Sequence, residues 1–381
     1  MPAACFRDRV LSSFPVVEDA VPLEAVRRAL VVKLRHQGDV LLSSPVFSVL
    51  KSKAPHAEVD ALVYADTAPM LTGHPSIREV FGIDRAWKTL GPLGQARAEW
   101  KLLSQLRAQR YDLVVHLTEH WRGAWLARAL GARWAVAPRV AGRGRLWKRS
   151  FTHHVSAPLA SGRHVVESNL DALRRIGIYP GVEERTLTLV AGSAAEERVA
   201  QLLAEHGLTG ESFVQIHPSS RWRFKCWPAD KMSKLIDRLH GEGCRVVLTA
   251  APDNAEAQMI EEILGRVAQP VAANLAGQLS LKELAALTAR ARLFIGVDSA
   301  PMHIAAAVGT PAVAIFGPSG ADLWGPWGVP RSGRHRVVAR DEYTCRPCGL
   351  DGCGGGKVSD CLVTLDVGRV WAAAAEVLET R

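Results

Sequence analysis

Residues 292–319 read RLFIGVDSAPMHIAAAVGTPAVAIFGPS, which predicts a buried strand, a tight turn, a short helix and a second buried strand. Asp298 or Ser299 can cap the helix, and Pro301 suits its first turn. A capped helix at the carboxyl end of a buried strand presents unpaired N–H groups and a positive dipole end, which suit a phosphate. The same residues could also do no more than start a helix, with His303 an ordinary surface histidine.

The alternation of apolar strand and helix recurs through the chain from Leu30 onward. Strands are predicted at residues 29–34, 57–64, 78–84, 111–118, 212–218, 244–252, 292–298 and 311–318, and helices at 94–110, 120–132, 229–243, 254–267, 280–291 and 367–381. Between the two series, Gly177 and Pro180 break the helical pattern. The pattern predicts an α/β fold of two Rossmann-like domains with parallel sheets that face each other.

The domain division that follows from this pattern has four parts. Residues 1–28 form an N-terminal extension, 29–184 a first Rossmann-like domain, 185–365 a second Rossmann-like domain, and 366–381 a C-terminal helix. A length of 381 residues suits two domains, since a domain typically has roughly 150 residues.

A basic loop leaves the strand that ends at Pro218. Ser219 and Ser220 are followed by three cations, the last of them Lys225. Hydroxyls and cations on such a loop can hold a pyrophosphate, with the lysine as a point charge near the leaving oxygens. The alternative is a solvated basic loop with Trp222 and Trp227 packed beneath it.

Acidic side chains follow two other predicted strands. Thr249, Asp253 and Glu256 lie at the end of the strand at 244–252, where an acid can accept ribose hydroxyls or can cap a helix. Asp39 lies in the stretch LRHQGDVLLSSP, where the first strand passes into a helix. Its carboxylate could act as a general base or as a helix cap.

Composition limits the class of protein. The chain is 48% hydrophobic and 22% charged, as in ordinary globular proteins, and no run approaches the roughly 18 to 20 apolar residues of a membrane span. We therefore expect neither a secretory signal nor a transmembrane helix, and we expect cysteines that are reduced in the cytoplasm. The net charge of +9 favours an anionic partner, which could be a nucleotide, a phosphorylated substrate, an anionic membrane or nucleic acid.

Four of the seven cysteines lie in the tail CRPCGLDGCGGGKVSDC. Thiolates of Cys345, Cys348, Cys353 and Cys361 could bind a structural zinc ion, although their spacing differs from the usual pair of knuckles separated by a long spacer. The alternative is a loop without metal, with its thiols reduced or oxidised.

The motifs VVKLRHQGDVLLSSPVFSVLK, IHPSSRWRFKCWP and GVDSAPMHIAAAVGTPAVAIFGPS, in this order and spacing, resemble glycosyltransferase family 9 over nearly the whole chain. This family comprises the heptosyltransferases that extend the inner core of lipopolysaccharide, and the chain looks most like its heptosyltransferase III branch. The resemblance implies a GT-B fold, an ADP-heptose donor, a lipid-linked core acceptor and inverting transfer that needs no metal or other cofactor. It makes the first domain the acceptor-binding domain and the second the ADP-sugar-binding domain.

The resemblance also implies roles for particular residues. It places the catalytic aspartate at Asp39, the phosphate-binding lysine at Lys225 and the acid that contacts the nucleoside at Asp253. The full set for the donor is Ser219, Ser220, Lys225, Thr249, Asp253, Asp298, Ser299, Ala300 and His303, and the set for the acceptor is Arg35, His36, His120 and Arg122. One departure is Ser219, where the family often has a glycine.

Three alternatives remain at this point. One is a GT-B enzyme with another donor or acceptor, and another is an isomerase of the UDP-N-acetylglucosamine 2-epimerase type. The third is a basic nucleic-acid-binding protein, which would need Lys and Arg clustered with aromatic residues on one face. No such cluster is evident in the sequence, so we expect no nucleic-acid partner. For the transferase, we expect peripheral binding to the inner face of the inner membrane through electrostatics rather than insertion.

Overall fold

The computed structural model describes residues 17–156, 162–328 and 333–379, and the first half of these residues is built on one parallel sheet. Its strands are rich in Val, Ala and Leu, which fit a sheet that is covered on both faces. The strand order is β3-β2-β1-β4-β5-β6, with β1 (Arg28–Val32), β2 (Glu58–Tyr64), β3 (Val80–Ile83), β4 (Leu113–His116), β5 (Trp134–Pro138) and β6 (His153–Val155).

Helices cover both faces of this first sheet. They are α1 (Gln37–Leu41), α2 (Ser44–Lys53), α3 (Gly91–Ala108), α4 (Trp121–Leu130), α5 (Arg145–Arg149) and α6 (Val165–Arg174). Leu106 of α3, Ala124 of α4 and Trp147 of α5 belong to one buried cluster, whereas Phe47 of α2 and Leu170 of α6 belong to another. The helices α3, α4 and α5 therefore form one layer, on the opposite face of the sheet from α2 and α6.

The second half of the described chain repeats this arrangement. Its strands are β7 (Phe213–His217), β8 (Arg245–Leu248), β9 (Ala273–Asn274), β10 (Leu293–Val297), β11 (Ala312–Ile315) and β12 (His335–Val338), all parallel and in the order β12-β11-β10-β7-β8-β9. Its helices are α7 (Ser193–Glu205), α8 (Ala229–Gly241), α9 (Asn254–Leu264), α10 (Leu281–Arg290), α11 (Ala300–Ala307), α12 (Ala321–Trp324), α13 (Asp360–Val363) and α14 (Val367–Glu379). Short 3-10 helices lie at Leu23–Ala25, Ala65–Met70, Arg85–Thr89, Glu183–Arg185, Arg223–Lys225 and Cys353–Gly355.

The two sheets share one topology, because each begins with a central strand and then grows outward first on one side and afterwards on the other. In such a sheet the chain reverses direction between two neighbouring central strands, and ligands bind outside the carboxyl ends of those strands. Here the reversal lies between β1 and β4 in the first sheet and between β7 and β10 in the second. The fold thus predicts two half-sites, one contributed by each sheet.

The predicted alternation is confirmed, and every strand predicted from the sequence is present. The strands that the sequence analysis did not predict are β5, β6, β9 and β12, and the helices it did not predict include α2, α6 and α7. The C-terminal helix is α14, which packs on α8 and β12; residues 380 and 381 of the prediction lie outside the described residues. Residues 1–16 of the N-terminal extension also lie outside them, and the domain division at 184/185 stays a prediction. Among the described helices, none is both long enough and apolar enough to cross a bilayer.

Candidate active site

A cavity of about 700 Å³ lies between the carboxyl edges of the two sheets, where the topology predicts ligand binding. The predicted residues that line it are Arg35, His36, Asp39, Ser219, Ser220, Lys225, Asp298, Ser299, Ala300 and His303. The predicted residues that do not line it are His120, Arg122, Thr249 and Asp253. The structure therefore brings together both ends of the predicted site, with the first sheet contributing Asp39 and the second contributing the basic loop and the turn before α11.

Asp39 is the third residue of α1, the short helix that follows β1. The N-cap position of this helix is occupied by His36, whose side chain makes no capping hydrogen bond. The alternative that Asp39 caps the helix is therefore wrong. Its side chain is half-buried at the cavity wall, and within the described residues no protein group donates a hydrogen bond to its carboxylate or pairs with it.

Lys33 lies beneath this carboxylate and also lines the cavity. Its ammonium group is buried, where it donates to Asn169 Oδ1 at 2.9 Å and to the carbonyl of Leu117 at 3.3 Å. Burial lowers the pKa of Lys33 from 10.5 to about 8, and the nearby charge of Asp39 opposes that decrease. The amide of Asn169 in turn donates to the carbonyl of Leu42 at 2.9 Å, so the lysine is held by a fixed partner.

Lys225 and Asp298 form an ion pair on the opposite side of the cavity, with 2.6 Å between Nζ and Oδ2. The Asp298 side chain is 7% exposed at the end of β10, and the Lys225 side chain is 22% exposed at the end of its 3-10 helix. Ser299 occupies the N-cap position of α11, but its hydroxyl donates to the carbonyl of Val297 at 3.3 Å and makes no cap. Pro301 has no N–H and the N–H of Met302 donates to the carbonyl of Ser299 at 3.2 Å, so the N–H at the start of α11 that is left without a side-chain acceptor is that of Ala300.

His303 of α11 lies where α11 contacts α1 of the first half of the chain. It is buried rather than on the surface, and burial lowers its pKa to about 4, so the ring is neutral at neutral pH. Its Nδ1 atom is buried without a hydrogen-bond partner among the described residues. A Cβ at Gly38 would lie 2.9 Å from Cδ2 of His303, so α1 can pack against α11 only because position 38 is glycine.

The acid that reaches the cavity after β8 is Glu256, not Asp253. Asp253 is the N-cap of α9, where its Oδ1 accepts from the backbone N–H groups of Ala255 at 2.9 Å and of Glu256 at 3.3 Å. Glu256 is buried one turn further on and accepts a 2.6 Å hydrogen bond from the Ser219 hydroxyl. The helix cap is thus confirmed for Asp253, and Glu256 is the acid of this segment that faces the cavity.

Thr249 lies behind the cavity wall rather than in it. Its hydroxyl is 3.1 Å from Nδ1 of His217, the last residue of β7, and accepts from the amide of Gln215 at 3.2 Å. His217 lines the cavity, and burial lowers its pKa to about 4 against the opposing effect of Glu256, whose Oε2 lies 3.8 Å from Nε2. Thr249 thus orients a neutral imidazole that faces the cavity.

A family model described as glycosyltransferase family 9 (heptosyltransferase) matches residues 99–353. Lipopolysaccharide heptosyltransferase 3 of Escherichia coli is 41% identical over 295 residues, which cover 77% of this chain and 84% of that protein. The chain belongs to glycosyltransferase family 9. The family membership predicted from the sequence is confirmed, and this protein is a transferase.

Solved structures show the same fold for this family 9 glycosyltransferase. The glycosyl transferase family 9 protein from Veillonella parvula DSM 2008 superposes with a TM-score of 0.79 at 21% identity, covering 94% of this chain and 99% of that one. The E. coli heptosyltransferase WaaC with ADP superposes with a TM-score of 0.67 at 20% identity, covering 92% and 99%. The predicted GT-B fold is confirmed.

The acceptor side of this glycosyltransferase differs from the expectation. Arg122 of α4 donates to Glu99 of α3 at 2.7 Å and so joins two helices outside the cavity. His116, the last residue of β4, and Thr118, two residues later, line the cavity instead, with 3.3 Å between Nε2 and Oγ1. A Cβ at Gly123 would lie 1.9 Å from Nε2 of His116, so the start of α4 packs directly on this imidazole.

The tail of this glycosyltransferase contains free thiols. Cys345, Cys348, Cys353 and Cys361 make no disulfide within the described residues. Over residues 17–156, 162–328 and 333–379, no three side chains of the metal-ligating types are grouped closely enough to hold a metal ion. The candidate four-thiolate zinc site is therefore not formed in this structure.

Proposed function

We propose that this glycosyltransferase moves heptose from ADP-L-glycero-D-manno-heptose to the inner core of lipopolysaccharide. The observation that carries this proposal is that two groups face each other across one cavity. One is the Asp39 carboxylate, which no described protein group contacts by a hydrogen bond, and the other is the half-buried cation of Lys225 beside the start of α11 at Ala300. The names of its relatives, a lipopolysaccharide heptosyltransferase and a heptosyltransferase solved with ADP, support the choice of donor and acceptor.

The donor diphosphate would bind between Lys225 and the first turn of α11. An ammonium group has three donors, so Lys225 can keep its bond to Asp298 and still contact a phosphate oxygen. The N–H of Ala300 offers a further donor, and the start of α11 offers a positive dipole end for the charge that develops on the departing ADP. These residues supply the stabilisation that other glycosyltransferases obtain from a divalent cation, so we expect transfer to be independent of metal.

The nucleoside would lie against the segment that follows β8. Glu256 presents its carboxylate to the cavity and can accept hydrogen bonds from ribose hydroxyls. Ser219 and the N–H of Ala251 hold that carboxylate at 2.6 Å and 3.0 Å, which fixes its orientation. We therefore assign to Glu256 the nucleoside contact that the family resemblance had suggested for Asp253.

The acceptor hydroxyl would bind beside Asp39, which acts as the general base. A base that is free of protein hydrogen bonds can accept the hydroxyl proton as the acceptor oxygen attacks the anomeric carbon. A single displacement by this oxygen, from the side opposite the departing ADP, inverts the configuration at that carbon. Lys33, whose ammonium group is buried and also lines the cavity, places a positive charge near this carboxylate.

The two domains would then divide the work, with residues 29–184 binding the acceptor and 185–365 binding the ADP-sugar. The acceptor is anchored in a membrane through its lipid, so we place the protein at the cytoplasmic face of the inner membrane as a peripheral protein.

The test of this function is transfer by Asp39→Asn. Asn keeps the size of the side chain but cannot take a proton, so turnover should fall by a factor on the order of 100 or more. Because the Asp39 carboxylate receives no protein hydrogen bond, the melting temperature and the ADP affinity should stay near wild type. The measurement is release of ADP and mass analysis of the core product, with saturating acceptor and in the presence of EDTA.

Asp322→Asn is the matched control, since Asp322 is also a first-turn carboxylate of a short helix but does not line the cavity. It should keep full turnover. If Asp39→Asn keeps most of its turnover, the base lies elsewhere; if EDTA abolishes transfer by the wild type, the metal-independent mechanism is wrong.

A further inference from the structure

The layer of α3, α4 and α5 presents large apolar side chains to solvent. Leu93 is 88% exposed, Trp100 is 70% exposed and Trp125 is 60% exposed, and Leu90 next to them is also exposed. Leu93 and Trp100 are seven residues apart on α3 and therefore lie on one side of that helix. Apolar groups gathered on one surface are costly to leave in water and mark a contact site.

The stretch of chain that contains these three helices carries the excess positive charge of the protein. Residues 85–149 contain fourteen Lys and Arg and three Asp and Glu, a net charge of +11, whereas the whole chain carries +9. The rest of the protein is therefore slightly negative. Arg97 and Lys101 are exposed on α3 between and beside Leu93 and Trp100, so cations and apolar side chains share one face.

Specific contacts hold the three helices together as one surface. The ion pair of Arg122 with Glu99 joins α4 to α3 at 2.7 Å. The ring of Trp121 at the start of α4 meets the ring of Trp147 in α5 edge to face, with 5.8 Å between centroids. The Arg143 guanidinium lies over both rings, at 4.9 Å and 5.5 Å from their centroids. The exposed side chains are thus carried by a fixed layer rather than by independent helices.

This surface borders the acceptor side of the cavity. The helix α4 begins just after Thr118 and Glu119, both of which line the cavity. The helix α3 begins a few residues after the carboxyl end of β3, at the same edge of the first sheet. A planar partner resting on this surface would therefore lie next to the mouth through which the acceptor enters.

We propose that this surface, the α3–α5 face formed by Leu90, Leu93, Arg97, Trp100, Lys101 and Trp125, docks on an anionic phospholipid membrane. Trp and Leu side chains enter the headgroup region while the cations contact lipid phosphates. The inference rests on the proposed action on a lipid-linked acceptor. The structure shows Lys and Arg clustered with aromatic residues on one face, which was not evident in the sequence. The proposal adds apolar insertion to the electrostatic membrane binding expected from the sequence.

Nucleic acid is the less favoured partner for this face. Single strands are held by stacking of bases on aromatic rings and by contacts to phosphates. Leu93, the most exposed large apolar side chain of the face, offers nothing for stacking, whereas an aliphatic side chain at the headgroup boundary gains from leaving water.

The test is sedimentation of the full chain with vesicles of phosphatidylglycerol and phosphatidylethanolamine, compared with vesicles of phosphatidylcholine alone. The wild type should bind the anionic vesicles and resist release by high salt in part. The double variant Leu93→Ser/Trp100→Ser should bind about tenfold or more weakly, since each buried apolar side chain contributes substantially to partitioning. Arg97→Gln and Lys101→Gln should each weaken binding roughly fivefold.

Leu350→Ser is the matched control, because Leu350 is a 54% exposed leucine of the second half of the chain and should not affect vesicle binding. Equal binding to both kinds of vesicle, or unchanged binding by the double variant, would overturn the proposal. The proposal would also be overturned if the double variant bound vesicles like the wild type but lost RNA binding or self-association that the wild type shows. Transfer to a delipidated core oligosaccharide should be unaffected in Leu93→Ser/Trp100→Ser; a wild type without such transfer would instead count against the proposed function.

Discussion

Lys225 has two tasks in the proposed site, to neutralise Asp298 and to bind the donor diphosphate, and paired substitutions can separate them. Lys225→Met removes the cation but keeps much of the side-chain volume. It leaves the carboxylate of Asp298, 7% exposed, without its partner at 2.6 Å. Breaking a buried ion pair by removing one partner costs about 3 to 5 kcal/mol. Because the Lys225 side chain is 22% exposed, water can partly replace it, and we expect a loss of about 2 to 3 kcal/mol in the free energy of unfolding.

The affinity for ADP should fall separately. Loss of a charge-assisted contact costs about 1.5 to 3 kcal/mol, which corresponds to a roughly tenfold to hundredfold weaker affinity. The double variant Lys225→Met/Asp298→Asn removes the orphaned charge as well as the cation. It should regain most of the stability without regaining ADP affinity, because an amide and a thioether cannot replace the ammonium group at a phosphate.

The assays are urea unfolding for stability and titration calorimetry with ADP for affinity. Unfolding of Lys225→Met at the same urea concentration as the wild type would refute the stabilising role of the ion pair. Recovery of ADP affinity in the double variant would show that Lys225 acts only by neutralising Asp298, and would refute its contact with the diphosphate.

Two further predictions concern buried ionisable groups beside the cavity. Burial lowers the pKa of Lys33 from 10.5 to about 8. Between those pH values the unfolded chain therefore binds more protons than the folded protein. The burial of the charged lysine destabilises the folded protein at low pH, and this destabilisation disappears as the pH rises through this range. Lys33→Met removes this pH-dependent cost, so its free energy of unfolding relative to the wild type should decrease by about 3 kcal/mol between about pH 8 and 10.5, as measured by urea unfolding, while transfer is reduced; a pH-independent difference would contradict this account. Glu256→Gln should weaken ADP binding about tenfold by calorimetry because it removes a charged acceptor, whereas Asp253→Asn should leave it unchanged because Asn still caps α9; the reverse order would return the nucleoside contact to Asp253.

The central strands could be predicted because each one has a local sequence pattern that is typical of a buried strand. Strands such as β1, β4, β7 and β10 are apolar runs between turn residues, and each is buried on both faces. The strands that escaped prediction were short or lay away from these centres. β9 has two residues and β6 has three, too few to produce a periodic pattern.

The candidate site was predictable where a polar residue directly follows a central strand. Asp298 directly follows β10 and Ser219 lies two residues after β7, whereas Asp39 lies in α1, the helix that follows β1. All three line the cavity. The rule fails when a residue's surroundings come from distant parts of the chain. Lys33 reads as part of a strand, and only the packing of α6 brings Asn169 against its ammonium group.

Two residues predicted to bind the acceptor do not line the cavity, again because their surroundings come from distant parts of the chain. His120 and Arg122 follow β4 closely enough to suggest a role in the cavity. Arg122 instead forms an ion pair with Glu99 on the neighbouring helix, outside the cavity. Which residue Arg122 pairs with depends on which helices lie in the same layer. That information resides in the topology of the sheet, which local sequence patterns do not contain.

The contact of Gly38 with His303 has a mechanical consequence. The α1 backbone lies so close to the imidazole that a single added methyl group would collide with it, and the same methyl would also come within 3.7 Å of the Cα of Ala300. When one rigid body turns on another about a point that stays in contact, each atom moves in proportion to its distance from that point. Asp39 is the next residue after Gly38, so any hinge motion that keeps this contact closed displaces the base least and the outer rim of the cleft most. The pivot of such a motion would then lie beside Asp39, where the proposed reaction needs the base to stay aligned with the acceptor hydroxyl.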